Sequence, residues 1–593
     1  MENASGGYMS DLSFCGGRFG AWLGNQQFTV RNLRFEHCQT AIYQHWNWAW
    51  TYVDIHINHC MVGIHVAAMQ PDRQGVGSLV LSDWHAEHTG TLVQLERQRS
   101  GRLVLEHVRT EHVPQTVAER DGPSLLAPSA GSTGHSVDMW LHTPEWTGAP
   151  PVPLRRPASM VDPHGRWFGR EKPLYTNVSA SEVVSIRCCG ARGDGKSDDT
   201  AALQAALDQH AGRSLIFVPH GVYVVTDTLH VPVGTQMTGE ALPVVLGTGD
   251  RFNDPAHPRA VVQVGRPGDA GELVISNMIF STRAPAAGAV VLEWNVREAW
   301  QGSVAMFDSH VRIGGFRGTL LEHPQCDKTR SLEQLPRASL LNLHVTPSGS
   351  GYFQNVWVWT ADHDLDFGER TQINVLSERG VLIEARDGPV WMYGTASEHQ
   401  LLYQYSLVGA SNVLLAMIQT ETPYFQGHGF ARASESALQH GAYPDPDTAR
   451  SYKAAPECPN PAPDPALEDR AVGLHVERSE HVFVLGAGLY SFFDAYGQDT
   501  LPEHACQRRQ CTLDNDGGPS KDVWLMNLAT IGSVVQLAYA GCDAYGERRF
   551  REGFCSTTAL CVLGAGAEEP EARSAEHSDR RTLHIGELLL VQS

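Results

Sequence analysis

Three short triplets, Leu12-Ser-Phe14, Leu33-Arg-Phe35 and Ile55-His-Ile57, recur at intervals of 21 and 22 residues. Each alternates apolar and polar as a half-buried strand does, and a period in the low twenties built of strand and turn is that of stacked coils. Small residues follow each triplet, at Gly20-Ala21, Thr40-Ala41 and Gly63-Ile64. The segments NLRFEHC (Asn32–Cys38) and DIHINHC (Asp54–Cys60) align at the same interval, which sets His37-Cys38 directly beneath His59-Cys60. Two His and two Cys can hold zinc, but this spacing equals the coil repeat and lacks a short C-x₂₋₄-C knuckle. A stacked side-chain ladder is therefore expected there, with no metal and no cofactor.

The same strand-and-turn rhythm runs through most of the chain. At 593 residues it exceeds one ordinary core, so two domains are expected. Residues 1–113 read as coils of a first β-helix. Residues 114–180, which include PEWTGAPPVPLRRP (Pro144–Pro157), read as a linker too rich in proline for inner strands. Residues 181–593 read as a second β-helix. It opens with a strand at Val183–Cys188, a Gly loop, Asp198 or Asp199 as N-cap, and a helix over 199–210 covering the open coil end. The Gly loop lacks the G-x-x-x-x-G-K-[ST] spacing of a phosphate cradle. Residues 432–470 form a Pro/Ala/Asp-rich insertion, and EEPEARSAEHSDRR a charged surface loop near the end.

Lys and Arg number 45 against 66 Asp and Glu, a net charge of −21, which excludes nucleic acid as partner and leaves a neutral polysaccharide compatible. No run of 18 apolar residues is present, so no membrane span is expected, and the start shows no basic and apolar leader. Cys506 and Cys511 are close enough in sequence for a local bridge.

The stretch Trp391–Gln426 carries two carboxylates, Glu398 and Glu421, 23 residues apart. If that interval is one coil, they stand on adjacent rungs with backbones about 4.8 Å apart. Two acids that close do not both ionise freely, so one pKa rises, which prepares a general acid. Trp391, Tyr393, Tyr403, Tyr405, Tyr424 and Phe425 crowd the same stretch, and aromatic platforms beside carboxylates suit a sugar ring. A surface Glu pair beside core aromatics fits the same spacing, and both readings stay open on this ground.

GTASEHQLLYQY (394–405) and NVLLAMIQTETPYFQ (412–426) resemble the catalytic stretch of the fungal glycoside hydrolase family 55 exo-β-1,3-glucanases. The resemblance continues through NVWVWTADHD (355–364), GLYSFFD (488–494) and GNQQFTVRNLRF (24–35), and so covers most of the chain. It implies an all-β chain of two tandem right-handed, pectate-lyase-like parallel β-helices, with the first truncated because this chain starts inside it. It also implies an extracellular, monomeric enzyme that releases glucose from β-1,3-glucan with inversion. Glu421 matches the general acid and Glu398 an acid that supports it. Carboxyl groups about 5 Å apart would by themselves suggest retention. Two acids on one sheet face do not flank a sugar from opposite sides, however, so Glu398 is expected to tune Glu421. Amide and hydroxyl groups of the first β-helix would then hold the water: Gln27 and Thr51, with Gln26 and Thr29 as neighbours able to exchange roles. Trp359, Asp362 and Tyr424 are expected to hold the terminal glucose, with Tyr403, Gln419 and Gln26 completing the substrate set. His363 lacks a third ligand or a Ser nucleophile at a useful spacing and receives no role. A pectate-lyase-like lyase and a truncated, non-catalytic glucan-binding protein are the rival functions.

Overall fold

Side chains one period apart are paired partners in parallel strands. Leu12 pairs with Leu33, Leu33 with Ile55 and Ile55 with Trp84, while Phe14 pairs with Phe35 and Phe35 with Ile57. The computed structural model describes residues 5–68, 74–96, 101–144, 146–150, 152–366, 371–427, 443–446, 471–501, 506–514, 518–539, 542–546, 554–564, 582–585 and 588–591. In the first β-helix one wall stacks Tyr8–Cys15, Phe19–Glu36, Thr40–Asn58, Ser78–Glu87 and Arg102–Glu111, and the other stacks Val62–Val66, Thr91–Leu95 and Gln115–Glu119. Their inward residues form one apolar cluster, including Leu33, Phe35, Ile55, Ile57, Leu81 and Leu105. The sheet runs past residue 113. Gln115–Glu119 is a further rung, and Gly134–His142 pairs antiparallel to Arg102–Glu111, satisfying backbone groups that the last coil would otherwise leave open. The crossing segment proper is thus shorter than the 114–180 stretch its composition suggests.

The expected ladder is present and longer than two rungs. The rings of His37, His59, His88 and His112 stack with centroids 5.3, 4.7 and 4.7 Å apart. Each sits at positive φ, between 47° and 56°, a turn conformation that histidine adopts more readily than bulkier or branched residues. Cys38, Cys60 and Cys511 are free thiols, so the local Cys506–Cys511 bridge suggested by sequence is not formed.

In the second β-helix one wall strings twenty strands and the facing wall ten among the described residues. The expected strand Val183–Cys188 stops at Ser185 and turns into a 3-10 helix, Ile186–Cys189, and the helix Thr200–His210 buries Leu203, Ala206 and Leu207 in the same core as Ile186 of that turn and Ile216 of the next strand. Its two candidate caps divide the work. Asp198 Oδ1 accepts the Thr200 amide at 3.0 Å. Asp199 holds the N-cap backbone position, while its carboxylate takes the amides of Arg192 and Gly193 at 2.7 and 3.0 Å and fixes the Gly loop. At the far end Ser556–Leu563 pairs antiparallel to Lys521–Ile531, ending the parallel stack. Apart from 443–446, the insertion 432–470 lies outside the described residues, as does EEPEARSAEHSDRR.

The two β-helices pack wall against wall. Val53, Val80 and Val104 of the first meet Trp391, Tyr393, Phe483 and Trp524 of the second in one buried cluster. The crossing segment is clamped at this seam. Trp391 Nε1 donates to the Met160 carbonyl at 3.2 Å and Tyr393 Oη to that of Phe168 at 2.9 Å. The Arg156 guanidinium lies 4.5 Å over Trp167 and pairs with Asp83 and Glu106. Asn527 Nδ2 donates across the seam to Leu79 O at 2.8 Å. Two glycines permit the closest approach. Gly394 (φ +60°) and Gly486 (φ +88°) occupy left-handed turns, and a Cβ at either would fall 2.8 Å from the Tyr8 ring or 2.5 Å from Thr51 Oγ1.

Candidate active site

At this seam a cavity of about 410 Å³ opens. The first β-helix contributes Ser5–Gly7 and Gln27–Thr29, and the second contributes a wall built from stacked rungs. Register determines that wall. Arg312, Trp359, Glu398, Glu421 and Tyr490 are successive partners in one column, and His310, Trp357, Ala396, Gln419 and Gly488 in the column two residues earlier. Glu398 and Glu421 therefore stand on neighbouring rungs and both line the cavity, as the 23-residue interval requires.

The deeper acid is the one whose pKa rises. Glu398 is 5% exposed, and burial together with the charge of Glu421 pushes it up to about 8, against the pull of His399 and of the Trp357 indole. Trp357 Nε1 donates to Glu398 Oε2 at 3.0 Å. Glu421 is the more open of the two, and its Oε2 accepts the Tyr424 hydroxyl at 2.9 Å. Burial and the neighbouring Glu421 raise the Tyr424 phenol, which stays a donor. His399 stands between the carboxylates. Its Nε2 is 3.6 Å from Glu421 Oε2, an ion pair longer than a hydrogen bond, and its Nδ1 is 3.9 Å from Asp362 Oδ1. Burial works against charge on this ring, but Glu421, Asp362 and Glu398 outweigh it and push it up to about 9. Burial would likewise raise Asp362, yet the His363 hydrogen bond at 3.0 Å and the charge of His399 hold that carboxyl low. The site thus favours the neutral form of Glu398 and the charged forms of His399 and Asp362.

Of the residues singled out in sequence, Glu398, Glu421, Gln27, Trp359, Asp362, Gln419 and Tyr424 meet here. Thr51, Gln26 and Tyr403 do not. The Thr51 hydroxyl is fully buried and donates to the Leu485 carbonyl at 2.5 Å, so it fastens the two β-helices together. Thr29 lines the cavity instead, its hydroxyl donating to Ala416 O at 3.3 Å. Gln26 neighbours Gln27 on an extended strand and falls on the other face. Tyr403 belongs to the ten-stranded wall, packed with Val290, Leu341 and Leu382. Trp391, Tyr393 and Tyr405 are core or seam residues too. Gln27 Nε2 donates to Ser5 Oγ at 3.3 Å, while its Oε1 is buried without a hydrogen-bond partner among the described residues.

The aromatic platform lies one coil earlier than the Tyr-rich stretch suggests. The rings of Trp357 and Trp359 stack at 5.0 Å and 29°, with Trp357 38% exposed. Sequence reasoning passed over His399, His310 and Phe28, which also line the cavity. For His399 a signal existed in its place directly after Glu398. For Phe28 none did, since it stands hundreds of residues from the carboxylates.

A family model described as rhamnogalacturonase A/epimerase, pectate lyase-like, matches residues 1–65 and 183–301. A "Probable glucan endo-1,3-beta-glucosidase" of Arthroderma benhamiae is 33% identical, over 95% of this chain and 74% of its own length. A "Glucan 1,3-beta-glucosidase" of Cochliobolus carbonum is 34% identical, over 92% of this chain and 68% of its own. Among solved structures, sacteLam55A from Streptomyces sp. SirexAA-E is 14% identical, over 90% of this chain and 88% of that one, with a TM-score of 0.36. One-third identity across nearly the full length, together with paired parallel β-helices meeting at a carboxylate-lined cavity, means that the chain belongs to glycoside hydrolase family 55, the β-1,3-glucanases.

Proposed function

We propose that this enzyme hydrolyses β-1,3-glucan from chain ends, releasing glucose with inversion. The observation that carries the reading is the Glu398–Glu421 pair on adjacent rungs of a cavity that both β-helices build. Glycoside cleavage needs an acid at the leaving oxygen and an activated water on the opposite face of the sugar. Glu421, the more open carboxyl, is the acid. Glu398 lies beneath it on the same wall, where burial and the charge of Glu421 favour its neutral form, so it does not attack the sugar. The opposite face of the cavity belongs to the first β-helix, where the Gln27 amide, its Oε1 without a partner among the described residues, is the candidate to hold the water, with Gln419 lining the same cavity. Trp357 and Trp359 give the sugar an apolar platform, and Asp362 accepts its hydroxyls. The small cavity, bordered by Ser5–Gly7, favours a terminal residue over the middle of a polymer. The substrate places this reaction outside the cell, and one chain carries every group named.

The test is laminarin hydrolysis by the wild type and by Glu421→Gln, followed by proton NMR and product sizing. Glucose that appears first as the α-anomer, with a loss of roughly 10²-fold or more in the variant, is the expected result. A ladder of oligosaccharides would assign endo action, the word used for the Arthroderma relative. An unsaturated, ultraviolet-absorbing product from polygalacturonate would assign a lyase. A wild type no faster than Glu421→Gln removes the enzymatic role altogether.

A further inference from the structure

His399 is 4% exposed and held at φ +71° in the cavity wall. Its Nδ1 lies 2.9 Å from the Thr360 carbonyl oxygen, which only accepts, so Nδ1 carries a proton in either charge state of the ring. The other nitrogen, Nε2, faces Glu421 Oε2 at 3.6 Å and has no closer hydrogen-bond partner among the described residues. A bare Nε2 lone pair against an ionised carboxylate is repulsive. The two groups are therefore stable together only with a proton between them, on nitrogen or on oxygen. The other titratable groups around the ring are Asp362 with its partner His363, Glu398 on the same strand, and Tyr424, whose ring meets the imidazole edge-on at 4.8 Å. Three carboxyl groups against one imidazole favour its cationic form. The rise of His399 to about 9 agrees with this.

We propose that His399 is a positioning residue that stores the proton of the general acid and returns it to Glu421. The inference rests on Glu421 being that acid. As substrate enters, the Nε2–H bond breaks and an O–H bond forms on Glu421, leaving a neutral imidazole. That O–H then breaks as its proton passes to the glycosidic oxygen, and the C1–O bond opens with its electron pair leaving on that oxygen. Water adds to C1 and gives its own proton to solvent, and a solvent proton restores the imidazolium. The left-handed backbone and the Thr360 hydrogen bond aim Nε2 at Glu421, which explains why a strained conformation is held at this position.

The test uses the full chain carrying His399→Asn, since asparagine tolerates positive φ but does not titrate, with His399→Gln as a second variant. Near-UV circular dichroism checks the fold of each. On laminarin at pH 7 kcat should fall about 10- to 100-fold, and the alkaline limb of the pH profile should move acidward by about one unit or more. On 2,4-dinitrophenyl β-glucoside, whose leaving group needs no proton, both variants should stay within about threefold of the wild type. Equal loss on both substrates, or an unmoved alkaline limb, overturns the inference. Should neither variant fold, a wild-type alkaline limb below pH 7 overturns it alone. Full laminarin activity in Glu421→Gln would instead overturn the assignment of the acid, independently of His399.

Discussion

Replacing Glu398 by Gln should make the folded protein less sensitive to rising pH. In the folded state burial and the charge of Glu421 raise this carboxyl from 4.5 to about 8. A group whose folded pKa is raised contributes stability that is complete below its unfolded pKa and is lost as pH climbs through the folded one. The window is therefore from pH 4.5 to about 8. Each pH unit inside it costs about 1.4 kcal/mol, so the wild type should lose about 4 kcal/mol between pH 5 and pH 8 from this group alone. The amide of the Glu398→Gln variant carries no titrating proton, and the other groups are common to both proteins, so the difference between them isolates the term. With an unfolding entropy of about 2 cal/mol/K per residue, a chain of this size converts that loss to about 3 °C in Tm. Scanning calorimetry of both proteins at pH 5 and pH 8 should show the variant gaining about 3 °C on the wild type across that interval. The same substitution should move the alkaline limb of laminarin hydrolysis acidward, because Glu421 would then lack a proton-sharing neighbour. A Tm difference that is the same at both pH values would mean that Glu398 is already ionised in the folded protein at pH 5. The reasoning that places a proton on this pair would then be refuted.

Substitutions at two other positions test the parts around the pair. Thr51→Val removes the donor to Leu485 O at the seam and should cost about 1–3 kcal/mol in urea unfolding, with KM for laminarin little changed; a large change in KM would restore Thr51 to the binding site. Trp357→Ala removes both the stacked platform and the Nε1 bond to Glu398, so KM should rise and kcat should fall, whereas Trp357→Phe should recover much of KM but not the proton balance read from the pH profile.

The period of the first hundred residues and the register of the second β-helix were legible because both are local. Where successive coils differ little in length like stacks on like, so the Leu12, Leu33, Ile55 column and the Glu398–Glu421 pair follow from counting. The same counting showed the His37–His59 stack to be a ladder, which continues through His88 and His112. Aromatic content, unlike spacing, does not fix which wall a residue joins. Tyr403 lies in the same short stretch as Glu398, yet the strand that carries it turns onto the opposite wall. Trp357, two residues before Trp359 on the same strand, stands open beside the carboxyl it bonds.

Sequence alone thus determined the coil, its rungs and which two acids share a column, because parallel pairing sets equivalent residues of consecutive coils opposite each other, and these coils differ little in length. Only the tertiary structure decided which face of the first β-helix meets that column. Nothing periodic links Gln27 or Thr51 to residues more than 350 positions away, and the match depends on two glycines that let the walls approach. That packing put Gln27 in the cavity and Thr51 in the seam. Burial in the cavity wall, the larger of two main causes, raises the pKa of Glu398.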